Sequence, residues 1–296
     1  MWHILGVGAI GMRWARKLAL ADERVELILR NEQKLNAFTD AGSGVHFLKD
    51  EQKEFIPFAA THVDAPDLAI NNLILCTKSY SLLEAFLAVR SRLHPHANLV
   101  LLCNGYGPQQ EIAAQAPELR VWGASTTNGA NTPSPFMLKL AGDGETLVGA
   151  LNDPAKHAPC PLLNLPRHKE TNDIEGTLWR KLAINACINP LTALHNVPNG
   201  MLVSDPYLNS VMALIANEIE MLSKQLSKPL FDQSLLEAAN AVCLQTANNR
   251  SSMLEDFTHD RPTEIWEITG TLIQLADTAG ISLAENRKLL RALITD

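Results

Sequence analysis

The apolar positions change period twice within the opening stretch WHILGVGAIGMRWARKLALADERVELILR. HILGV is a short apolar run, MRWARKLALA repeats apolar residues at helical spacing, and VELIL is a second aliphatic run. That succession predicts strand, turn, helix and strand. Further apolar runs of strand length follow at LILC (73–76), LVLLC (99–103) and VWGAS (121–125), with helix-like or loop segments between them. Strands that alternate with helices predict a parallel sheet covered on both faces. MLKLAGDGETLVGAL places two apolar runs around AGDGE and predicts a hairpin closing this part of the chain.

From about Ile174 the strand-like runs stop. YLNSVMALIANEIEMLSKQL, SLLEAANAVCLQTA and EIWEITGTLIQLADTAG all carry apolar residues at helical spacing. The change of class falls in the proline-rich stretch DPAKHAPCPLLNLPRHKE, near residues 155–173. The chain therefore reads as α/β: an N-terminal Rossmann-type dinucleotide-binding domain over 1–165 and an all-helical C-terminal domain over 166–296.

Composition narrows the function. The 296 residues are 46% hydrophobic and 19% charged, which is ordinary for a globular protein. A net charge of −7 makes a nucleic-acid or anionic-membrane partner a poor fit, while leaving room for a small anionic ligand. The five cysteines form no C-x-x-C pair, which argues against a disulfide framework or zinc site and suits a reducing cytoplasm. No apolar run approaches the roughly 18–20 residues that span a bilayer. His94 and His96 lie in a predicted turn without a nearby carboxylate or cysteine, so no metal is expected.

The glycines of GVGAIG change the picture most. Gly6, Gly8 and Gly11 form G-x-G-x-x-G between a predicted strand and helix. The first glycine allows the tight turn, the second lets a pyrophosphate approach the backbone, and the third lets the helix pack on the strand. The N–H groups of Ala9, Ile10 and Gly11 then open a helix whose dipole favours an anion. At the end of the second strand, where an NAD site carries an acid, LILR places Arg30. A guanidinium there suits the 2′-phosphate of NADP(H); the plainer alternative is a solvated charge at a strand end. Two later strand ends carry Lys78 (LILCTKSY) and Asn104 (LVLLCNGYG), the edge where ligands of a doubly wound sheet sit.

The helical half raises a different question. In LWRKLAINACINPLTALHNVPNG, Lys181, Asn185 and Asn189 recur at steps of four and so stack on one helix face among apolar neighbours. Snorkelling explains a lone lysine, but less well a ladder of amides with Asn199 in the next loop. Desolvation would lower the lysine pKa toward a range useful for proton transfer to a carbonyl oxygen. In NNRSSMLEDFTHDRPTEIW, Asn249 and Ser252 are spaced to share a helical face. Glu264 follows Pro262, a residue that commonly opens a helix.

Together, GVGAIG, LILR, CNGYG, LWRKLAINACINPLTALHNVPNG and SSMLEDF…RPTEI resemble the ketopantoate reductases (2-dehydropantoate 2-reductases), along essentially the whole chain. The resemblance implies hydride transfer from NADPH to 2-dehydropantoate, giving (R)-pantoate for pantothenate synthesis. It implies Lys181 as general acid and Glu264 as the residue that positions substrate. Asn104, Asn185, Asn189, Asn199, Asn249 and Ser252 would line a cleft between the domains, and the glycines, Arg30, Lys78 and Asn104 would hold the cofactor. Ser81 departs from the family, many members of which carry a glutamine there. Three alternatives stay open: a reductase of another small 2-oxo acid, a β-hydroxyacid dehydrogenase relative, and an NADP(H)-binding sensor without turnover. A small-molecule substrate is the expected partner, and the chain is expected to be a monomer or homodimer.

Overall fold

The computed structural model describes residues 1–65 and 69–294. The chain divides into two compact units, one of Met1–Cys103 with Pro108–Ile174 and one of Asn104–Gly107 with the residues from Glu175 onward. No helix among the described residues is long and apolar enough to cross a membrane.

The first unit runs β1 (Trp2–Leu5), α1 (Ala9–Ala19), β2 (Val25–Leu29), α2 (Glu32–Asp40), β3 (Gly44–Lys49), β4 (Gln52–Pro57), β5 (Ala59–His62), β6 (Ile70–Leu75), α3 (Leu82–Val89), β7 (Leu93–Leu101), α4 (Pro108–Gln115), β8 (Arg120–Thr126), β9 (Ala130–Ser134), β10 (Met137–Leu140), β11 (Thr146–Ala150), α5 (Asp153–Lys156) and β12 (His168–Glu170). Eight strands form the main sheet in the order β12-β11-β8-β7-β6-β1-β2-β5. From β8 to β5 all neighbours are parallel; β11 runs antiparallel to β8. Successive residues of the central strands point to opposite faces. Ile4, Leu27, Ile74 and Val100 pack with Trp14 and Leu18 of α1, whereas Leu5, Ile28, Leu75 and Leu101 pack with Phe86 of α3 and Ile112 of α4. Burial on both faces is why these strands are continuous apolar runs rather than alternating ones. The chain leaves β1 toward β2 on one side and returns to β6 on the other. The ends of β1 and β6 are therefore the switch point at which such sheets bind ligands.

Two expectations need correction. The hairpin over 137–150 does not form: β10 lies between β3 and β9 in a separate four-stranded sheet, and β11 pairs with β8. Arg13 of α1, only 3% exposed, holds the connection between these two strands. Its guanidinium donates to the carbonyls of Gly129 (2.7 Å) and Gly142 (3.3 Å) and to Asn128 Oδ1 (3.0 Å), and it pairs with Asp143. The connection AGDG is thus tied to α1 instead of folding back on itself. The division of the chain also falls later than 165/166, because β12 pairs with β11 and carries the sheet unit on to Ile174.

The second unit contains α6 (Ile174–His195), α7 (Met201–Ser204), α8 (Pro206–Gln225), α9 (Leu235–Gln245), α10 (Ser252–Thr258), a π-helical turn (Trp266–Gly270), α11 (Thr271–Ala279) and α12 (Ala284–Leu293). Helix starts carry side-chain caps: Asp205 accepts from Tyr207 and Leu208 N–H, Ser234 and Glu237 form a capping box, and Ser251 accepts from Leu254 N–H. Leu283 cannot cap α12. Buried Glu218 of α8 substitutes, accepting from the N–H groups of Glu285 (2.8 Å) and Asn286 (3.1 Å). The core centres on α6, where Trp179, Leu182, Ala183, Ala186, Cys187, Ile188 and Leu191 are all buried. Those positions cover most of the helix circumference, which marks α6 as an interior helix.

Candidate functional site

In the sheet unit, the loop from β1 to α1 brings the three glycines together, each under a different constraint. Gly6 has φ +101°, and a Cβ there would lie 2.6 Å from the Cys76 carbonyl carbon and 2.7 Å from Thr77 N. Only glycine lets the end of β1 pass so close to the end of β6. At Gly11 a Cβ would lie 2.1 Å from Gly6 O, so the helix packs directly on the turn. At Gly8 a Cβ would meet nothing within 4 Å. That open space lies where α1 begins. Gly8 gives its N-terminus no side-chain cap, and the first turn, with Ala9, Ile10 and Gly11, holds no acidic residue. The arrangement fits the pyrophosphate of a dinucleotide, with uncapped N–H groups and the helix dipole supplying the positive end.

The other residues expected to hold the cofactor sit at the neighbouring strand ends. Arg30 is exposed, immediately past β2 and before the α2 cap Asn31, whose side chain accepts from Lys34 N–H at 2.9 Å. Lys78 is half-buried just beyond β6 and opens a short 3₁₀ turn that includes Ser81. Thr77, which the sequence motifs do not single out, has its Oγ1 buried without a hydrogen-bond partner beside Gly6. A single hydroxyl in a strand-end loop gives no signal until the strand pairing places it.

In the helical unit, α6 carries Lys181, Asn185 and Asn189 on one face, as the four-residue spacing requires. Lys181 and Asn185 are half-buried, and Asn189 is 7% exposed. Farther along the helix, Thr192 Oγ1 is hydrogen-bonded to Asn189 O (2.9 Å) and to Ser251 Oγ (2.7 Å), joining α6 to the cap of α10. Asn199 is also buried. Its N–H donates to Asn249 O at 2.9 Å and its Nδ2 to Thr246 Oγ1 at 2.9 Å, while its Oδ1 finds no partner. Glu264, 3% exposed, accepts from Asn104 Nδ2 at 3.1 Å. Asn104, expected at the end of a sheet strand, thus belongs with the helical unit. The left-handed glycines Gly105 (φ 85°) and Gly107 (φ 118°) turn the chain there.

Two local readings fail. Asn249 and Ser252 do not share a helical face. Asn249 lies in the loop after α9, Ser252 is the exposed first residue of α10, and the capping, buried serine is Ser251. Pro262 does not open a helix either. Residues 261–263 are irregular and helical structure begins after Glu264, whose carbonyl accepts from Ile268 N–H at 3.0 Å. An ion pair between exposed Arg261 and buried Asp256, at 2.9 Å, lies in the loop that leads to Glu264. Glu267, one turn on, is held above the usual carboxylate range by burial, with the Glu264 charge adding to the shift.

The family model described as Ketopantoate reductase PanE/ApbA matches residues 2–153, and Ketopantoate reductase PanE/ApbA C terminal matches 173–295. The chain is 32% identical to the 2-dehydropantoate 2-reductase of Yersinia pestis, over 97% of this chain and 91% of that protein. With the corresponding protein of Vibrio cholerae it shares 29% identity, over 99% and 96%. Among solved structures, a probable 2-dehydropantoate 2-reductase from Bacillus subtilis superposes with TM-score 0.79 at 26% identity, covering 99% of this chain and 98% of that one. D-mandelate dehydrogenase with NADH and anilino(oxo)acetate superposes with TM-score 0.88 at 20% identity, covering 99% and 97%. At that identity the likeness shows the fold alone.

Proposed function

The chain belongs to the ketopantoate reductase family, and on that premise we propose that it reduces 2-dehydropantoate to (R)-pantoate with NADPH, in the cytoplasm. Bound NADPH would supply the hydride for C2 of the substrate. Gly6, Gly8 and Gly11 with the first turn of α1 would hold the pyrophosphate, and Lys78 lies at the same strand edge. Arg30 would pair with the 2′-phosphate; an Asp or Glu in its place would favour the unphosphorylated ribose instead.

In the helical unit, Lys181 hydrogen-bonds the C2 ketone oxygen. The ammonium of Lys181 would donate its proton to that oxygen as it takes up negative charge. The lysine recovers a proton from solvent. Glu264 accepts a hydrogen bond from the substrate hydroxyl, and Asn104 fixes the orientation of its carboxylate through Oε2. Asn185, Asn189, Asn199, Asn249 and Ser252 supply the amide and hydroxyl groups that orient the remaining polar atoms of the substrate. Asn249 offers its amide from the loop after α9, and Ser252 its hydroxyl from the exposed start of α10. The observation that carries the reading is the buried Glu264 carboxylate, bonded to Asn104, in the same apolar unit as the Lys181–Asn185–Asn189 ladder.

The test is NADPH oxidation with 2-dehydropantoate beside pyruvate, 2-oxoisovalerate and oxaloacetate. 2-Dehydropantoate is expected to give the highest kcat/KM. Lys181→Met keeps the apolar stem and removes the ammonium; it should lower kcat by about 10²–10⁴-fold, the usual contribution of general acid catalysis. A folded Lys181→Met enzyme retaining more than about a tenth of wild-type kcat would fall outside that range and remove Lys181 from the mechanism.

A further inference from the structure

We propose that Lys228 and Tyr106 form a clamp that holds the Asn104 turn in place, making Lys228 a positioning residue for the proposed reaction; the inference rests on the site reading above. Lys228 is more than a hundred residues from the turn and belongs to none of the motifs singled out in the sequence. The helix end explains how it arrives there. α8 stops at Gln225 with Leu226 as its C-cap, and Ser227 takes up a left-handed conformation with φ 51°. Ser227 N–H bonds to Lys224 O (3.1 Å) and Lys228 N–H to Ser223 O (2.9 Å), the paired bonds of a Schellman end. This reversal turns the Lys228 side chain back over two aromatic rings.

Its Nζ donates to the Tyr106 hydroxyl at 2.8 Å. The same atom lies 5.0 Å from the Tyr106 ring centroid and 5.8 Å from that of Trp179. Both distances fall within cation–π range. The two rings meet edge to face, with centroids 5.5 Å apart at 74°. Trp179 is itself fixed, 1% exposed, with Nε1 donating to Ser223 Oγ at 3.0 Å. An ammonium, two rings and a serine hydroxyl therefore tie α6, the end of α8 and the Asn104–Gly107 turn into one assembly.

That turn needs such a tie. Gly105 and Gly107 both adopt left-handed backbone conformations and leave the segment little intrinsic stiffness. Tyr106, between them, is its one large side chain. Two residues before Tyr106, Asn104 donates to Glu264. Trp179 stands two residues before Lys181 on α6. Holding Tyr106 against Trp179 thus fixes the donor that aims the Glu264 carboxylate. Lys228 makes its contacts with Tyr106 and the Trp179 ring, and reaches Asn104 and Glu264 through the Tyr106 turn.

A displacement of about 1 Å in a positioning group can lower turnover by about 10²-fold. Lys228→Met is expected to lower kcat/KM for 2-dehydropantoate by about tenfold or more on that basis, with NADPH affinity unchanged. Lys228→Arg should restore most of the loss, because a guanidinium can stack on the same rings and donate to the same hydroxyl. Tyr106→Phe keeps the ring pair and removes the hydroxyl, and should reproduce part of the loss; it is also the second variant if Lys228→Met folds poorly. The deciding measurement is a double-variant cycle with Asn104→Ala. If Lys228 acts through the Asn104 turn, Lys228→Met adds little to the loss already caused by Asn104→Ala; a merely structural lysine would add its full effect. Full additivity, or wild-type kinetics in both folded Lys228→Met and Tyr106→Phe, overturns the clamp alone. A silent Asn104→Ala, or wild-type protein inactive on 2-dehydropantoate, overturns the site reading and the clamp with it.

Discussion

Lys17 shows that a lysine with a lowered pKa need not be catalytic. It stands half-buried on α1, with Nζ 5.5 Å from the Trp14 ring centroid. Burial, and after it the nearby Arg13 charge, push its pKa down from the ordinary 10.5 to about 8; Asp143 opposes the shift and Arg167 adds to it. In the unfolded chain the ammonium returns to its ordinary value. Between about pH 8 and 10.5 the unfolded chain therefore holds a proton that the folded one has released. Stability contributed by this group rises with pH across that window, and its destabilising effect is complete below about pH 8. Lys17→Met is expected to melt higher than the parent at pH 7, and the gap should narrow by pH 9.5. Paired melting curves at the two pH values cancel the other titrating groups; a gap that stayed constant or widened would refute the assignment.

At the scale of elements, the β1–turn–α1–β2 unit could be read from the chain, because its geometry depends on residues adjacent in sequence. Gly6 and Gly11 are demanded by backbone contacts a few residues or one strand away. The α6 ladder was readable for the same reason, since one helix sets its spacing. The small sheet β4-β3-β10-β9 was not. QKEFIP in β4 is largely exposed and polar, and β10 could pair with either flank until Arg13 fixed its connection. Asn249 and Ser252 misled because a three-residue spacing says nothing until a helix is known to contain both. The glycines lead to a prediction that separates fold from binding. Gly8 has φ −94° and ψ −163°, extended values that any residue adopts, and open space beside it. Gly8→Val should fold with a small loss of stability and fail to bind NADPH, because the side chain fills the pyrophosphate position. Gly11→Ala would press a methyl into Gly6 O and should chiefly lower Tm. Melting curves with calorimetric NADPH titration check both; a folded Gly8→Val protein that binds NADPH like the parent would remove the cradle from Gly8.

For the whole molecule, the division into two units predicts that cofactor binding and substrate use can be damaged separately. Arg30 and the glycine turn belong to the sheet unit, whereas Glu264, Asn104 and Lys181 belong to the helical unit, each with its own hydrophobic core. Glu264 is buried and bonded to Asn104, so its loss should fall on the substrate and on the Asn104 turn. Glu264→Ala is expected to lower kcat/KM for 2-dehydropantoate strongly while the calorimetric Kd for NADPH stays nearly unchanged. Because removing a buried acceptor strands the Asn104 donor, a melting curve must accompany the measurement. Glu264→Gln keeps an acceptor oxygen and distinguishes lost charge from lost packing. Arg30→Asp should act in the opposite sense. It repels the 2′-phosphate, so NADPH affinity should fall far more than NADH affinity, and the folded variant supplied with saturating NADH should still turn over 2-dehydropantoate. Equal loss of both cofactors in Arg30→Asp would sink the assignment of Arg30. Loss of NADPH binding in a folded Glu264→Ala protein would show that the two units do not divide the work in this way.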